Sequence, residues 1–165
     1  MEDSLLKHDK KRRFAVFLVL TLIWMVVIFL FSAQNGDDSS DTSGFLLNLL
    51  CGIFRVEPTP DNAELLTLLI RKAAHMTEFG ILALLWLGTL RSGAGKAAWH
   101  YPAAFAVSSL YAITDEIHQL FVSDRAGQIT DWLIDSAGAL LFLCCAWLLT
   151  RLKSAKAGPG SIDNA

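Results

Sequence analysis

A run of eighteen residues without a charged side chain, from Phe14 to Phe31, limits the fold of this chain more than any other feature. As an α-helix, the run would be about 27 Å long, close to the thickness of the hydrocarbon core of a bilayer. A cleaved signal peptide is the competing interpretation, because basic residues precede the run. Signal sequences, however, have an apolar region of only about 7–15 residues, and more hydrophobic segments follow here. The run therefore predicts a membrane span.

Three further segments are long and apolar enough to cross a membrane. Together with the first, the predicted spans are residues 14–33, 73–90, 98–122 and 130–150. The connections after the second and third spans are short and contain Gly93, Gly95 and Gly127, so consecutive helices should be antiparallel neighbours. The composition agrees, since 53% of the 165 residues are hydrophobic and only 18% are charged. The sequence predicts an all-α integral membrane four-helix bundle.

The connection between the first two spans is the only long one. Residues 34–44 are rich in Gly, Asp, Ser and Thr, which is typical of a flexible, solvated loop. Residues 45–53 are apolar but too short to span the membrane. We therefore expect a loop followed by a short interfacial or re-entrant helix.

The distribution of basic residues predicts the orientation. Ten of the fourteen Lys and Arg residues lie before the first span, between the second and third, or after the fourth. Basic residues concentrate on the cytoplasmic side, so both termini are predicted to be cytoplasmic. Residues 1–13 would form a basic cytoplasmic segment, and residues 151–165 a disordered cytoplasmic tail. The formal net charge of −2 gives no indication of a nucleic-acid partner.

Ionisable residues inside the predicted spans are the clearest functional signal. Each costs about 2.5–3.5 kcal/mol near the bilayer centre, so such residues are usually paired and turned inward. The second helix carries Arg71, Lys72, His75 and Glu78; the third carries Asp115, Glu116, His118 and Gln119; the fourth carries Asp131 and Asp135, with Gly138 just below them. All three groups lie near helix ends that face outward, so they can converge at one depth in the outer half of the membrane, with Arg125 above them. Gly138 would allow a partner helix to approach closely.

The charges of this cluster do not balance. Its five carboxylates against Arg71, Lys72 and Arg125 leave a formal charge of −2. Several neighbouring carboxylates cannot all be ionised without compensation. Altered protonation of the carboxylates or histidines, or a bound cation, would restore the balance.

Two separated segments resemble the VanZ-like family of bacterial membrane proteins, whose namesake is associated with teicoplanin resistance. They are RKAAHMTEF, at Arg71–Phe79, and DEIHQLFVSDRAGQITDWLIDSAGALL, at Asp115–Leu141. The chain departs from the family, which commonly has Tyr at the position of Phe79, Pro-Gly near Ser123-Asp124 and Asn at the position of Asp135. The resemblance implies a multi-pass protein of the bacterial cytoplasmic membrane, acting in the cell envelope. It implies no particular reaction.

Three hypotheses follow for the polar cluster, and the sequence does not decide whether the protein is an enzyme. In the first, it binds or modifies an anionic envelope lipid, such as an isoprenoid phosphate. Arg71, Lys72 and Arg125 would hold the phosphate, and His75 or His118, oriented by Glu78 or Asp115, would act as general acid or base. Glu116, Gln119, Asp131 and Asp135 would complete the binding site.

The second hypothesis is a metal site. The pairs His75/Glu78 and Asp115/His118 are spaced i, i+3, as in carboxylate–histidine sites of helical bundles. The third hypothesis is a structural ionic network in a scaffold or interaction protein, since buried polar groups also specify helix packing in membranes. The sequence assigns no cofactor, no partner beyond membrane lipid and no oligomeric state.

Overall fold

The computed structural model describes residues 2–55, 59–93 and 96–156, and these form helices and connecting turns with no strand. The helices are α1 (Glu2–Ser32), α2 (Gly36–Phe54), α3 (Pro60–Ser92), α4 (His100–Gln119) and α5 (Ile129–Lys156), with a 3₁₀ turn at Ala97–Trp99 before α4. The predicted all-α class is confirmed. Gly95 and residues 157–165, the end of the predicted tail, lie outside the described residues, whereas residues 151–156 continue α5 as helix.

Within the described residues, three helical segments are long and apolar enough to cross a membrane: Leu5–Ser32, Asn62–Ser92 and Ile129–Lys156. Helix α4, which contains most of the predicted third span, is not among them. Its mean hydropathy is lowered by polar side chains such as Ser108, Asp115 and Gln119, all of which are buried against other helices. Average hydropathy alone therefore does not identify α4 as a membrane helix.

Helix α3 lies at the centre of the fold and packs against α1, α2, α4 and α5. An apolar cluster of Ala83, Leu87, Ala104, Ala139 and Leu143 joins α3 to α4 and α5. A second cluster, around Phe79 and Leu82, includes Ile28 of α1 and Ala112 of α4. The polar residues predicted to form a site thus sit on helices fixed by a common core.

Close contact between α3 and α5 depends on Gly138. A β-carbon at this position would lie 2.2 Å from the carbonyl oxygen of Met76 and 2.7 Å from its Cα. The two backbones are therefore too close for any side chain at residue 138. The predicted close approach of a partner helix at Gly138 is confirmed.

The prediction of a flexible loop at residues 34–44 is wrong, because α2 begins at Gly36. The side chain of Asn35 accepts a hydrogen bond from the backbone N–H of Asp38 at 2.8 Å and so caps the helix. Asp37 and Asp38 in the first turn interact favourably with the helix dipole. The expected short helix is thus the second half of a 19-residue helix that packs on α3.

Candidate functional site

A polar cavity of about 230 Å³ lies between α3, α5 and the α4–α5 connection. Its lining includes seven of the residues singled out in the sequence: Arg71, Lys72, His75, Gln119, Arg125, Asp131 and Asp135. Arg71, Lys72 and His75 lie within about one helical turn of each other on α3, and Asp131 and Asp135 are one turn apart on α5. The polar groups of α3, α4 and α5 therefore do converge.

The cavity contains guanidinium groups with unused hydrogen-bonding capacity. Among the described residues, the buried Nε atoms of Arg71 and Arg125 have no hydrogen-bond partner. Arg71 uses one Nη to donate to Ser40 of α2 at 2.5 Å. Burial lowers the pKa of Arg125, and the positive charge of Arg71 lowers it further. An anion bound between Arg71 and Arg125 would reduce the repulsion between their positive charges and accept hydrogen bonds from their free N–H groups.

Lys72 differs from the two arginines because it is already paired. Its ammonium group donates to the carboxylate of Asp131, which links α3 to α5. The two side chains are 29% and 25% exposed, so the pair is only partly screened by solvent. Lys72 therefore contributes a structural contact as well as positive charge to the cavity wall.

A second cluster, formed by His75, Asp115 and Asp135, joins α3, α4 and α5. One potential metal-ligand atom from each side chain lies within 4.8 Å of the other two. Nδ1 of His75 is 3.7 Å from Oδ1 of Asp135. The side chain of Asp135 is fully buried, and neither of its oxygens has a hydrogen-bond partner among the described residues. The arrangement brings a potential nitrogen ligand and two carboxylates together.

Asp115 is held in place by an outer pair of polar residues. Nε2 of Gln119 donates to Oδ2 of Asp115 at 3.1 Å and lies 3.2 Å from Oγ of Ser32, where it donates a second hydrogen bond. Ser32 is the last residue of α1 and is almost fully buried. Ser32 is not among the site residues predicted from the sequence. Its position could have indicated a role, because it is a small polar residue directly at the end of an apolar span.

Four predicted site residues are not among those that line the polar cavity: Glu78, Asp115, Glu116 and His118. Glu78 borders a separate cavity with Trp24 of α1 and Leu46 of α2. Glu116 accepts a hydrogen bond from the backbone N–H of Gln128 at 2.7 Å and so fixes the α4–α5 connection.

The ring of His118 packs against Phe29 of α1, with 4.5 Å between the ring centroids. The predicted metal set of His75, Glu78, Asp115 and His118 is therefore not assembled as such. The structure instead groups His75 and Asp115 with Asp135.

Asp124 and Gln128 also line the cavity, although neither was predicted to be a site residue. Asp124 has φ of 58°, in the left-handed region, which turns the α4–α5 connection back toward the start of α2. The N–H of Gly36 donates to the carbonyl of Ser123 at 3.3 Å at this point. The positions of Asp124 and Gln128 depend on how the α4–α5 connection folds back toward α2, which helical periodicity does not reveal.

The comparisons with known proteins support a membrane family. Residues 17–150 match the model of the VanZ/LLP1 family, a range that contains all four predicted spans except the first three residues of the first. Curated proteins and solved structures give no match. Because the match covers most of the chain and includes every residue of the polar cavity, the protein belongs to the VanZ/LLP1 family and is a membrane protein.

Proposed function

We propose that the protein is a multi-pass protein of the bacterial cytoplasmic membrane that binds the phosphate group of an anionic envelope lipid at the outer leaflet. In this proposal α1, α3, α4 and α5 cross the membrane, and both termini are cytoplasmic. The observation that carries the proposal is the pair of guanidinium groups in one polar cavity whose buried Nε atoms have no hydrogen-bond partner among the described residues.

The faces of α4 support its assignment as a membrane span in addition to α1, α3 and α5. Leu110, Ile113 and Ile117 point away from the other helices and are exposed, whereas Ser108 and Asp115 are buried. With 20 residues, α4 is about 30 Å long, enough to cross a hydrocarbon core. A helix with apolar residues outside and polar residues inside is stable in lipid when its polar face contacts other helices.

The orientation can be tested by thiol labelling. Ser123 and Ser154 are exposed on the α4–α5 connection and near the end of α5. In a background where Cys51, Cys144 and Cys145 are replaced, we expect a membrane-impermeant maleimide to label S123C in intact spheroplasts. S154C should be labelled only after lysis, because the basic end of α5 is expected in the cytoplasm. The reverse pattern would contradict the orientation.

A phosphate fits the unpartnered Nε–H groups of Arg71 and Arg125 and the size of the cavity. Arg side chains form paired, charge-assisted hydrogen bonds with phosphate oxygens. The volume of about 230 Å³ is below the roughly 300–1,000 Å³ of pockets for drug-sized ligands, so it accommodates a compact head group and leaves the lipid chain outside. Exposed apolar faces on the helices would contact that chain in the bilayer.

The test compares farnesyl phosphate with farnesol as probes for the full-length protein in detergent. We expect farnesyl phosphate to bind more tightly than farnesol, and Arg125→Ala to weaken its binding about tenfold to hundredfold, the usual effect of losing a charge-assisted hydrogen bond. Binding is measured by the change in tryptophan fluorescence. Lys153→Ala is the matched control, because Lys153 is an exposed basic residue at the end of α5.

Two results would contradict lipid phosphate binding. One is equal affinity for farnesyl phosphate and farnesol in the wild type. The other is an unchanged affinity in Arg125→Ala together with a lower melting temperature, which would instead favour a structural ionic network.

A further inference from the structure

We propose that His75, Asp115 and Asp135 bind one divalent transition-metal ion of the Mn²⁺ class at the point where α3, α4 and α5 meet. His75 and Asp135 also line the polar cavity, but the metal ligands are different side chains from the two arginines, so metal binding and lipid binding can be tested separately.

The distances among the three side chains suit a shared ion. One ligand atom from each lies within 4.8 Å of the other two. Nitrogen and oxygen ligands bind such ions at about 2.0–2.2 Å, which places neighbouring ligand atoms roughly 3 Å apart. Small rotations of the carboxylates would bring the three atoms to that separation without moving the helices.

The burial of Asp135 points to a missing positive partner. Its carboxylate is 0% exposed, and both oxygens lack a hydrogen-bond donor among the described residues. Nδ1 of His75 is 3.7 Å away, beyond hydrogen-bonding distance, and itself has no partner within the described part of the chain. A buried carboxylate without a donor is costly, and a coordinated cation removes that cost.

The charge of the surroundings is consistent with one divalent ion. Asp115 and Asp135 together carry a formal charge of −2, whereas Glu78 and Glu116 are not among the residues that line the polar cavity. Lys72 is engaged by Asp131, so it is not available to neutralise Asp135. An ion of charge +2 bound between Asp115 and Asp135 would neutralise the cluster.

The contacts around Asp115 are also typical of metal ligands. Gln119 donates to Asp115 and to Ser32, so the carboxylate is fixed from the side of α1. Ligating carboxylates are usually held by hydrogen bonds of this kind. One imidazole and two carboxylates favour Mn²⁺ over Ca²⁺, since the latter prefers six to eight oxygen ligands.

The test measures Mn²⁺ bound to the full-length protein in detergent, after any histidine tag has been removed. Mn²⁺ is the probe because thiols of the three free cysteines bind it weakly compared with Zn²⁺. After incubation and desalting, we expect about one equivalent in the wild type. Asp135→Asn and His75→Gln should each lower the affinity by at least about tenfold, as expected for losing one of three ligands.

Two other carboxylates provide matched controls. Asp131→Asn removes a carboxylate one turn away on α5, and Glu116→Gln removes the neighbour of Asp115 on α4; both should keep Mn²⁺ binding. Circular dichroism and size-exclusion profiles of each variant show whether loss of metal reflects unfolding. The proposal is overturned if folded wild type retains no Mn²⁺, if Asp135→Asn binds as well as wild type, or if both controls lose the ion equally.

Discussion

Replacing Gly138 with alanine is expected to destabilise the protein by about 3 kcal/mol or more, at the upper end of the range for overpacked cores. The added β-carbon would lie 2.2 Å from the carbonyl oxygen of Met76 and 2.7 Å from its Cα. Both are backbone atoms, so no side-chain rotation can relieve the clash, and α3 and α5 must separate. The midpoint of thermal unfolding in detergent, followed by fluorescence and size-exclusion chromatography, measures the effect.

Gly52→Ala is the matched control for this substitution. Gly52 is also helical, but a β-carbon there would have nothing within 4 Å. Alanine is the better helix former by about 1 kcal/mol, so this variant should be as stable as wild type or slightly more stable. If Gly138→Ala unfolds at the same temperature as Gly52→Ala, the close contact of α3 and α5 is not present in solution.

Two aspartates one turn apart on α5 are expected to respond in opposite ways to the same substitution in the presence of a chelator. Asp131→Asn should destabilise the protein by about 1–3 kcal/mol, because it removes the partner of the partly buried Lys72. Asp135→Asn should stabilise it by about 1–3 kcal/mol, because it removes a fully buried carboxylate that lacks a donor. Melting temperatures in EDTA at pH 8 measure both effects.

Replacing the EDTA with Mn²⁺ for the same three proteins extends this comparison. The melting temperature should rise for wild type and for Asp131→Asn, and stay constant for Asp135→Asn, since a ligand that binds only the folded state raises its stability. A destabilising effect of Asp135→Asn in EDTA would show that Asp135 is stabilised by a contact other than a metal ion.

The convergence of the site was predictable because polar groups inside apolar helices have few stable arrangements. Arg71 and His75 are four residues apart, which places them on one face of α3, and the same spacing relates Asp131 and Asp135 on α5. Burial of these groups against each other follows from the cost of exposing them to lipid. The structure accordingly places all four in the wall of one cavity.

Two predicted site residues outside the polar cavity, Glu78 and His118, are each three residues away from another member of the predicted metal set. A step of three along a helix turns by about 300°, so Glu78 lies about 60° from His75 around α3, and His118 lies about 60° from Asp115 around α4. That difference is enough to direct the second residue of each pair to another neighbour. Glu78 borders a cavity together with Trp24 of α1, and His118 packs against Phe29 of α1. Sequence spacing alone does not show how far around α3 or α4 the face that contacts the polar cluster extends.

The start of α2 shows a different limit. Residues 36–44 have a composition typical of loops, yet Asn35 caps a helix there and Ser39 and Ser43 are buried. Hydroxyl groups of Ser40, Thr42 and Ser43 donate to carbonyl oxygens one turn earlier, so they need no water. Local polarity therefore did not distinguish a solvated loop from a polar helix packed on α3.

The central position of α3 has a mechanical consequence. A helix that touches all four others cannot slide or rotate alone, because any displacement changes its packing with each neighbour. Arg71 and His75 lie on this helix, so a displacement of α3 at the cavity would also move Ala83 and Leu87, which belong to the apolar cluster nearer its C-terminal end. A shift of α3 on ligand binding would therefore require α1, α2, α4 and α5 to adjust their packing at the same time.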